Sequence, residues 1–463
     1  MENQKSMEVF RDMSGPRAVM KNALPAMAAM LMVLIYNLAD TFFIGQTHDD
    51  FQVAAVSLAT PIFLIFMAVG SVFGMGGTSV ISRAMGQGRQ DYAKKVCSFC
   101  MWGCVAVGVI MSAFFLLCME QILTWVGATP DTWNYAKTYL TIVSCCGPFV
   151  LIGNCYSNVI RAEGQSGKAM MGQFLGNLLN VVLDPIFILV CGWDIAGAAI
   201  ATVIGNVVGA GYYILYFLRG KSVLSIHPKD CALGSGVCSS VLAIGIPASL
   251  GSLLMSVSQI IVNALMADYG DMALAGIGVA MKVTMMTGMV CIGFGQGVQP
   301  LLGYCVGANL WKWFKKVMKF SLIFSLAFST VMTGACYLLT NQIVSAFLTD
   351  AAAFDYAVQF ARILLTTSFL FGVFYVLSNS LQAMGAAKAA LIINLSRQGI
   401  VYIPALFILK AALGVAGLAW AQPVADLIST ALVAILYLHT RRKAEKTPLP
   451  TTHRNSHKME CVK

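Results

Sequence analysis

The chain has 463 residues, of which 58% are apolar and 11% are charged, and its mean hydropathy is +0.76. Soluble domains carry charge on about a quarter of their residues, so this composition excludes a soluble globular protein and predicts a polytopic membrane protein. The net charge of +10 arises from predicted loops and the C-terminal tail. Membrane topology therefore explains it better than nucleic-acid binding does.

A transmembrane helix needs about 20 predominantly apolar residues, and the chain supplies such runs repeatedly. We predict spans near 23–44, 53–82, 97–118, 135–160, 169–191, 196–218, 241–266, 272–304, 317–340, 356–384, 387–411 and 413–438. The sequence thus predicts an all-α polytopic membrane protein with twelve transmembrane helices. Its predicted parts are an N-terminal arm (1–22), an N-lobe (23–218), a linker (219–240), a C-lobe (241–440) and a basic tail (441–463).

Lysine and arginine are retained on the cytoplasmic side of short loops during membrane insertion. Here they gather in alternate loops and at both ends of the chain, while the intervening loops hold mainly Asp and Glu; only Lys410 departs from the alternation. This pattern predicts a multi-pass protein of the cytoplasmic (cell) membrane with both termini in the cytoplasm. Because each half has an even number of spans, the two halves share one orientation.

The first half of the sequence returns, weakly, about 221 residues later. FGMGGTSVISRAMGQG, with Gly74, is echoed by FGQGVQPLLGYCVGA, with Gly295. At nearly the same offset, Pro25 corresponds to Pro247, RAEG (161–164) to QAMG (382–385) and IAGAAIA (195–201) to VAGLAWA (415–421). Parallel repeats of this kind indicate two six-helix bundles around a central cavity, as in secondary transporters.

Charged side chains inside a membrane cost at least about 3 kcal/mol, so they mark candidate functional sites. In the first half, Asp40 and Asp184 stand out. At 1.5 Å per residue they lie roughly 25 and 22 Å above the cytoplasmic side. Asn180 precedes Asp184 by one helical turn and shares its helix face. Thr202, on the next span, reaches a comparable depth, so we expect the four side chains to meet.

Two carboxylates, an amide and a hydroxyl could act together in two ways. All-oxygen ligands suit a hard cation such as Na⁺. Alternatively, two carboxylates in a low-dielectric site cannot both ionise cheaply, so one can carry a proton. A third interpretation is that they only join neighbouring helices. The second half has Val262 and Ile403 near the equivalent positions, so the halves are alike in shape and unlike in chemistry.

Three further charges fall in spans of the second half. Arg397 and Asp426 lie at similar depths, which predicts a structural ion pair because each neutralises the other. Lys282 competes for Asp426 or lines the cavity. Among fourteen cysteines, the three between 97 and 104 have a spacing that suggests a metal motif, but no cluster of His or carboxylate residues lies beside them. We interpret them as buried small hydrophobic residues.

Five segments occur in a characteristic order: LADTFFIGQ around Asp40, SRAMGQG from Ser82, RAEG from Arg161, NVVLDPIFI from Asn180 and GFGQGVQPLLGY around Pro300. Over residues 15–440 the chain therefore resembles the multidrug and toxic compound extrusion (MATE) family, and in particular its MepA-type bacterial exporters. The resemblance implies a drug/cation antiporter built as a V-shaped pair of six-helix lobes that open alternately to each side of the membrane.

The resemblance also implies an ion-coupling site, which is carried onto residues matching in type and place: Asp40, Asn180, Asp184 and Thr202. Some family members have additional carboxylates in the seventh and tenth helices. Here those spans offer amides instead, namely Gln259, Asn263 and Asn379. The resemblance therefore leaves open whether the C-lobe binds a cation, and H⁺ is favoured over Na⁺ as the coupling ion.

The implied substrates are small amphipathic compounds, often cationic. Aromatic and amide groups suit such ligands, and we select as candidate substrate-binding residues Tyr36, Asn154, Asn158, Gln259 and Asn379. We expect a monomer in the lipid bilayer, without cofactor, bound nucleic acid or metal other than Na⁺ at the coupling site. A lipid-linked oligosaccharide flippase of the same superfamily is the main alternative. A membrane-embedded enzyme is a weaker one, because all histidines lie in predicted loops, span ends or the tail.

Overall fold

The structure is a computed structural model that describes residues 14–45, 50–125, 128–220, 222–231, 234, 236–348, 350–447 and 449–450. The described residues are helical apart from short turns and loops, and no strand occurs among them. Long apolar runs form helices in lipid because a helix satisfies its backbone hydrogen bonds within one segment. The predicted all-α class is confirmed.

The helices of the first repeat follow the predicted spans. They are α1 (Gly15–Gly45), α2 (Asp50–Gly86), α3 (Gln90–Leu117), α4 (Met119–Trp125), α5 (Pro130–Cys145), α6 (Gly147–Ala162), α7 (Ser166–Pro185) and α8 (Asp194–Leu218). A π-helical segment, Ile186–Val190, continues α7 directly. A short 3₁₀ turn, Pro228–Asp230, lies in the connection to the second repeat.

The second repeat has a similar order. Its helices are α9 (Val237–Ala267), α10 (Asp271–Gly307), α11 (Trp311–Leu338), α12 (Thr340–Ser345), α13 (Ala351–Ser368), α14 (Phe371–Ala383), α15 (Ala387–Leu395), α16 (Tyr402–Leu413) and α17 (Val415–Lys446). Here too the fifth span contains a π-helical segment, Ser396–Ile400, between α15 and α16.

Ten spans of the described chain are long and apolar enough to cross a membrane. Two predicted spans, 135–160 and 356–384, are instead pairs of helices, α5 with α6 and α13 with α14, bent by 57° and 49°. Counting each bent pair as one span gives twelve. Pro148, near the start of α6, lacks a backbone donor and accounts for the first bend.

The described chain divides into two compact units. The first unit is 28–249, and the second unit comprises 14–27 and 250–450. The boundaries of the predicted lobes, 23–218 and 241–440, were set by the sequence repeats. The boundaries of the two units are set by which helices pack together. Each boundary inside a helix falls just after a proline, Pro25 in α1 and Pro247 in α9. The first part of α1 is thus packed in the second unit, and the first part of α9 in the first.

Glycines explain why the first parts of α1 and α9 pack in these units, because a glycine lets another helix approach its backbone closely. In the second unit, Asn22 Nδ2 donates to the Gly297 carbonyl at 2.8 Å, and a Cβ on Gly297 would lie 2.5 Å from Ala23 Cα. In the first unit, a Cβ on Gly76 would overlap the Val241 carbonyl. Gly76 and Gly297 are equivalent residues of the two repeats. Each packs against the first part of a helix that belongs, in sequence, to the other repeat.

Two features of the sequence receive a local explanation. Lys410, the exception to the charge alternation, lies 2.6 Å from Asp268, Nζ to Oδ2, so its charge is paired. Cys97, Cys100 and Cys104 are buried in α3. Within the described part of the chain, no group of three or more His, Cys, Asp or Glu side chains could hold a metal ion.

Candidate functional site

The polar cluster of the first unit is built on α7 and α8. Gly176 and Gly205 face each other, and a Cβ on either would lie under 3 Å from the other's carbonyl oxygen, at 2.7 and 2.6 Å. The two helices therefore run close together at this point. One turn further along α7, the close approach brings Asn180 beside Thr202 of α8. Asn180 and Thr202 are each 3% exposed, and Asp184 is fully buried.

The carboxamide of Asn180 links the other two side chains. When its nitrogen faces the carboxylate, Nδ2 lies 3.0 Å from Asp184 Oδ2, and its oxygen lies 3.1 Å from the backbone nitrogen and 3.2 Å from the hydroxyl of Thr202. This orientation satisfies both ends of the amide, which the opposite orientation does not. Three of the four predicted coupling residues thus form one hydrogen-bonded group inside the first unit.

Asp184 sits immediately before an interruption of the helix. Pro185 follows it, and the next five residues form the π-helical segment Ile186–Val190. Proline removes a backbone donor, and π segments occur frequently at functional sites. Asp40 lies in α1, but its side chain is outside the described residues. The predicted meeting of Asp40 with Asp184 stays a prediction.

The corresponding region of the second unit is apolar. Val262 is 1% exposed and packs in a hydrophobic cluster with Ala405 and Leu406, on the helix that corresponds to the end of α7. The offset between IAGAAIA and VAGLAWA relates Thr202 to Gln422. Gln422 does not face this cluster; its Nε2 donates to Asp426 Oδ1 at 3.0 Å. The buried charges of the second unit therefore lie around Asp426 and not at this apolar position.

That second centre surrounds Arg397, in the π-helical segment Ser396–Ile400. Arg397 Nε donates to Asp426 Oδ1 at 2.8 Å, and Nη1 donates to the Tyr375 hydroxyl at 2.8 Å. Arg397 and Asp426 are 7% and 2% exposed. The structure thus brings together the two residues of the predicted ion pair. The Ser258 hydroxyl donates to the Gln398 carbonyl, which satisfies one acceptor of the irregular segment.

Aromatic rings enclose the same guanidinium. The Arg397 Cζ atom lies 4.6 Å from the ring centroid of Phe374, 4.9 Å from that of Phe371 and 5.2 Å from that of Tyr375. At these distances the ring faces attract a cation. Lys282, the remaining charge considered in this half, is exposed and lies 5.5 Å from the Phe347 ring centroid. No Asp or Glu among the described residues is within ion-pair distance of it.

Three of the predicted substrate-binding amides donate hydrogen bonds inside the fold, two within their own helix and one to a neighbouring helix. Asn158 Nδ2 donates to the Asn154 carbonyl at 2.9 Å, and Asn379 Nδ2 donates to the Tyr375 carbonyl at 2.8 Å. These are corresponding residues, and they pack against the corresponding glycines, Gly74 and Gly295. Asn154 Nδ2 donates to the Met67 carbonyl at 2.6 Å and to Ser71 Oγ at 3.1 Å, which ties α6 to α2.

The other two candidates are less constrained by the fold. Gln259 is half-buried on α9, with Nε2 3.2 Å from Asn263 Oδ1 and 2.9 Å from Met281 Sδ. Tyr36 is half-buried on α1. A substrate role for the five residues stays a prediction. In Asn154, Asn158 and Asn379, the amide nitrogen already donates a hydrogen bond within its own unit.

Glu163 is a residue that the sequence reasoning passed over. It lies at the end of α6 and is 1% exposed, yet it binds the connection between the repeats: it accepts from the Ser222 hydroxyl at 2.9 Å, the Tyr216 hydroxyl at 3.2 Å and the Val223 backbone N–H. Burial raises the pKa of the Glu163 carboxyl above its ordinary value, while the three donors act in the opposite direction. The sequence did contain a signal for this residue. RAEG (161–164) has an acidic residue at Glu163, whereas the equivalent segment QAMG (382–385) has Met384.

Comparison with known proteins agrees with the two repeats. The MatE family model matches residues 25–186 and 247–408, one stretch in each repeat. The multidrug export protein MepA of Staphylococcus aureus (strain MRSA252) is 32% identical over 423 residues, which cover 91% of this chain and 93% of that protein. The chain belongs to the MatE family. The predicted membership is thereby confirmed, and the chain is a multi-pass membrane protein of a family of transporters.

Further relatives of this MatE-family chain support the same assignment. MepA of Staphylococcus haemolyticus (strain JCSC1435) is 30% identical over 449 residues, covering 95% of this chain and 97% of that protein. A solved structure described as the outward-facing conformation of a multidrug resistance MATE family transporter has a TM-score of 0.91 at 21% identity. It covers 96% of this chain and 100% of that one. This second likeness shows the shared fold.

Proposed function

We propose that this protein exports small amphipathic, often cationic drugs across the cytoplasmic membrane by antiport with H⁺, with Na⁺ able to compete at the same site. Alternating access of the two repeats would carry the substrate. The proposal draws on the membership of the MatE family and on the relatives named as multidrug export proteins. The observation that carries the coupling is the fully buried Asp184 carboxylate beside Asn180 and Thr202.

Asp184 is suited to exchange a small ion. An amide and a hydroxyl are neutral neighbours, so proton binding at Asp184 changes the charge of a dry site and with it the stability of each conformation. Asp40 would add the second carboxylate. The same oxygens fit Na⁺, which prefers hard oxygen ligands. H⁺ and Na⁺ would therefore compete for one deprotonated cluster.

The test uses purified protein in proteoliposomes and a fluorescent cation such as ethidium. Uptake is measured under an imposed pH gradient without Na⁺ and under an imposed Na⁺ gradient without a pH difference. We expect the pH gradient to drive uptake and added Na⁺ to slow it. The matched variants are Asp184→Asn, which should be inactive, and Asp271→Asn, an exposed carboxylate in the first turn of α10, which should transport normally.

Two results would count against the proposal. If uptake required Na⁺ and ignored the pH gradient, the coupling ion would be wrong while the site could stand. If neither gradient drove uptake of ethidium, or if Asp184→Asn transported at the normal rate, the antiport mechanism assigned to this cluster would fail.

A further inference from the structure

One face of α11 changes from basic to apolar along its length. Its basic part holds four exposed lysines at the three- and four-residue spacing of a single helix face, namely Lys312, Lys315, Lys316 and Lys319. The same spacing continues with Ile323 and Leu326, which are 59% and 41% exposed. Trp311 and Trp313 flank the first lysine, and tryptophan is enriched where a membrane meets water. The face therefore crosses the boundary between lipid headgroups and hydrocarbon.

The end of α17 changes in the same way. Ile435 and Leu438 are exposed and apolar, and exposed cations follow within about two turns, namely Arg442, Lys443 and Lys446. Lys315 Nζ lies 2.9 Å from Glu445 Oε1, and Arg441 Nε lies 3.9 Å from the same oxygen. Because one carboxylate contacts both helices, their basic ends lie side by side. The exposed cations of α11 and α17, with Arg441 and Glu445, form what we call the basic surface.

The chain beyond α17 is held at the same place. Asn309 lies in the turn that precedes α11, and its Nδ2 donates to the Leu449 carbonyl at 2.9 Å. The backbone N–H of Leu449 donates in return to Asn309 Oδ1 at 3.1 Å. These two hydrogen bonds fix the end of α17 beside the start of α11, so the cations of the two helices keep their positions.

The charge of the basic surface is not neutralised by the chain itself. The surface holds eight cations and one carboxylate, and no other Asp or Glu among the described residues lies within ion-pair distance of its cations. In the sequence, residues 1–13 carry two cations and three carboxylates, and residues 451–463 carry three cations and one carboxylate. Neither segment can balance eight cations, so the surface is complementary to an anion from outside the chain.

The equivalent face of the first repeat is covered by protein. At the offset of 221 residues, Ser98 and Trp102 of α3 correspond to Lys319 and Ile323 of α11. Both side chains donate to backbone carbonyls of the connection between the repeats, at 2.7 and 3.2 Å. In the second unit no described segment makes such bonds to α11, and Lys319 and Ile323 are exposed. The second repeat thus leaves open a helix face that the first repeat covers.

We propose that the basic surface binds the phosphate of an anionic phospholipid, in the leaflet on the side that the sequence predicts to be cytoplasmic. Basic clusters at the membrane end of a span attract anionic headgroups, and ammonium groups donate charge-assisted hydrogen bonds to phosphate. The acyl chains would lie along Ile323 and Leu326. A lipid fits better than a free phosphate, because the same face offers cations for the headgroup and apolar side chains for the hydrocarbon.

The test measures lipid binding to the purified, delipidated protein in detergent. Phosphatidylglycerol or phosphatidylcholine is added, native mass spectrometry reports the bound lipid, and the thermal midpoint reports stabilisation. We expect the unaltered protein to prefer phosphatidylglycerol. The double variant Lys312→Gln, Lys319→Gln should lose about tenfold in affinity for phosphatidylglycerol, because it removes two cations from the surface, and should bind phosphatidylcholine as before.

Three controls isolate the site. Lys94→Gln with Lys95→Gln removes two lysines from the start of α3, the helix that corresponds to α11, and should change the affinity less than about twofold. Lys312→Arg with Lys319→Arg keeps both charges and should keep the affinity. Inorganic phosphate, which lacks acyl chains, should neither displace the lipid nor raise the thermal midpoint. The substituted side chains of α11 are exposed, so these variants leave the packing of the helix intact.

Three results would overturn the proposal. The first is equal binding of phosphatidylglycerol and phosphatidylcholine by the unaltered protein. The second is an equal loss of affinity in the α3 and α11 variants, or no loss in either, because the attraction would then not be located at the basic surface. The third is stabilisation by inorganic phosphate as large as that by phosphatidylglycerol, which would indicate a site for a free anion.

Discussion

In the first unit the buried carboxylate of Asp184 lies beside neutral groups, the amide of Asn180 and the hydroxyl of Thr202. In the second unit the carboxylate of Asp426 lies 2.8 Å from a guanidinium. Proton binding at Asp184 removes a negative charge beside a neutral amide and hydroxyl, whereas proton binding at Asp426 would leave the guanidinium of Arg397 without its counter-ion and is therefore opposed. We therefore propose ion coupling in the first unit and a structural role for the Arg397–Asp426 pair in the second.

The scaffolds around these centres are alike. Asn158 and Asn379 make the same hydrogen bond, to the carbonyl four residues earlier, and pack on Gly74 and Gly295. Each fifth span contains a π-helical segment, but at a different place: it follows Asp184 in the first repeat and includes Arg397 in the second. Duplication thus preserved the helix packing, while the buried charges differ between the repeats.

The largest expected effect comes from removing the charge of the first centre. Asp184→Asn keeps the size of the side chain and abolishes titration, so gradient-driven efflux should fall to background while the protein remains folded and inserted. Asp40→Asn should behave similarly. Drug resistance of expressing cells and dye efflux measure the effect, with membrane abundance as the control. Full resistance from either variant at normal abundance would break the assignment to the first unit.

A smaller but still large effect is expected when the pair of the second unit is broken. Asp426→Asn leaves the guanidinium of Arg397 buried without its counter-ion, which costs about 3–5 kcal/mol. Expression and the thermal midpoint in detergent should fall. The double variant Arg397→Met, Asp426→Leu should be less destabilised than Asp426→Asn alone. A well-expressed Asp426→Asn protein that cannot couple transport to a gradient would put a coupling site in the second unit after all.

Close helix packing at Gly76 and Gly297 predicts a similar loss of stability in both units when either glycine is enlarged. Gly76→Ala and Gly297→Ala both insert a methyl group where backbone atoms already lie, so each should cost about 1–3 kcal/mol. Gly278→Ala is the control, because no atom lies within 4 Å of its added Cβ. That change should be neutral or stabilise the helix by about 0.5–1 kcal/mol. Thermal unfolding in detergent measures all three. Unequal losses at the first two positions would show that the repeats pack differently.

The smallest predicted effect concerns Glu163, which has no acidic counterpart at Met384. Because burial raises the pKa of Glu163 above 4.5, the folded state favours its neutral form. Stability from this group is present at low pH and is lost as the pH rises through the raised folded-state value. The thermal midpoint relative to that of Glu163→Gln should therefore decline as the pH rises from 4.5, the ordinary pKa of the carboxyl, to its raised pKa in the folded protein. A difference that is independent of pH would contradict the raised pKa.

Sequence patterns predicted the fold because the membrane imposes strong rules on composition and length. The helices, the repeat and the depth of Asp184, Asn180 and Thr202 followed from periodicity and from 1.5 Å per residue. The same arithmetic placed Arg397 and Asp426 at matching depths. In each case, residues one turn apart on a helix or at equal depth on different spans were enough to indicate contact.

The sequence could not predict features that depend on three-dimensional packing. The exchange of the first parts of α1 and α9 between units depends on the glycines against which they pack, and no local pattern reports it. Asn154, Asn158 and Asn379 were selected as polar residues of a cavity, yet their amides are bound to nearby helix atoms. Tyr375 and Glu163 were missed because their partners are distant in sequence: Arg397 for Tyr375, and the Ser222 hydroxyl and the Val223 backbone N–H for Glu163.

Proton release on binding of Na⁺ tests the central comparison most directly. Purified protein in weakly buffered detergent solution is titrated with NaCl, with choline chloride as the control, and released protons are followed with a pH-sensitive dye. We predict that the unaltered protein and the double variant Arg397→Met, Asp426→Leu release protons, while Asp184→Asn does not. Release that persists in Asp184→Asn and disappears in the double variant would contradict the assignment of ion coupling to the first unit.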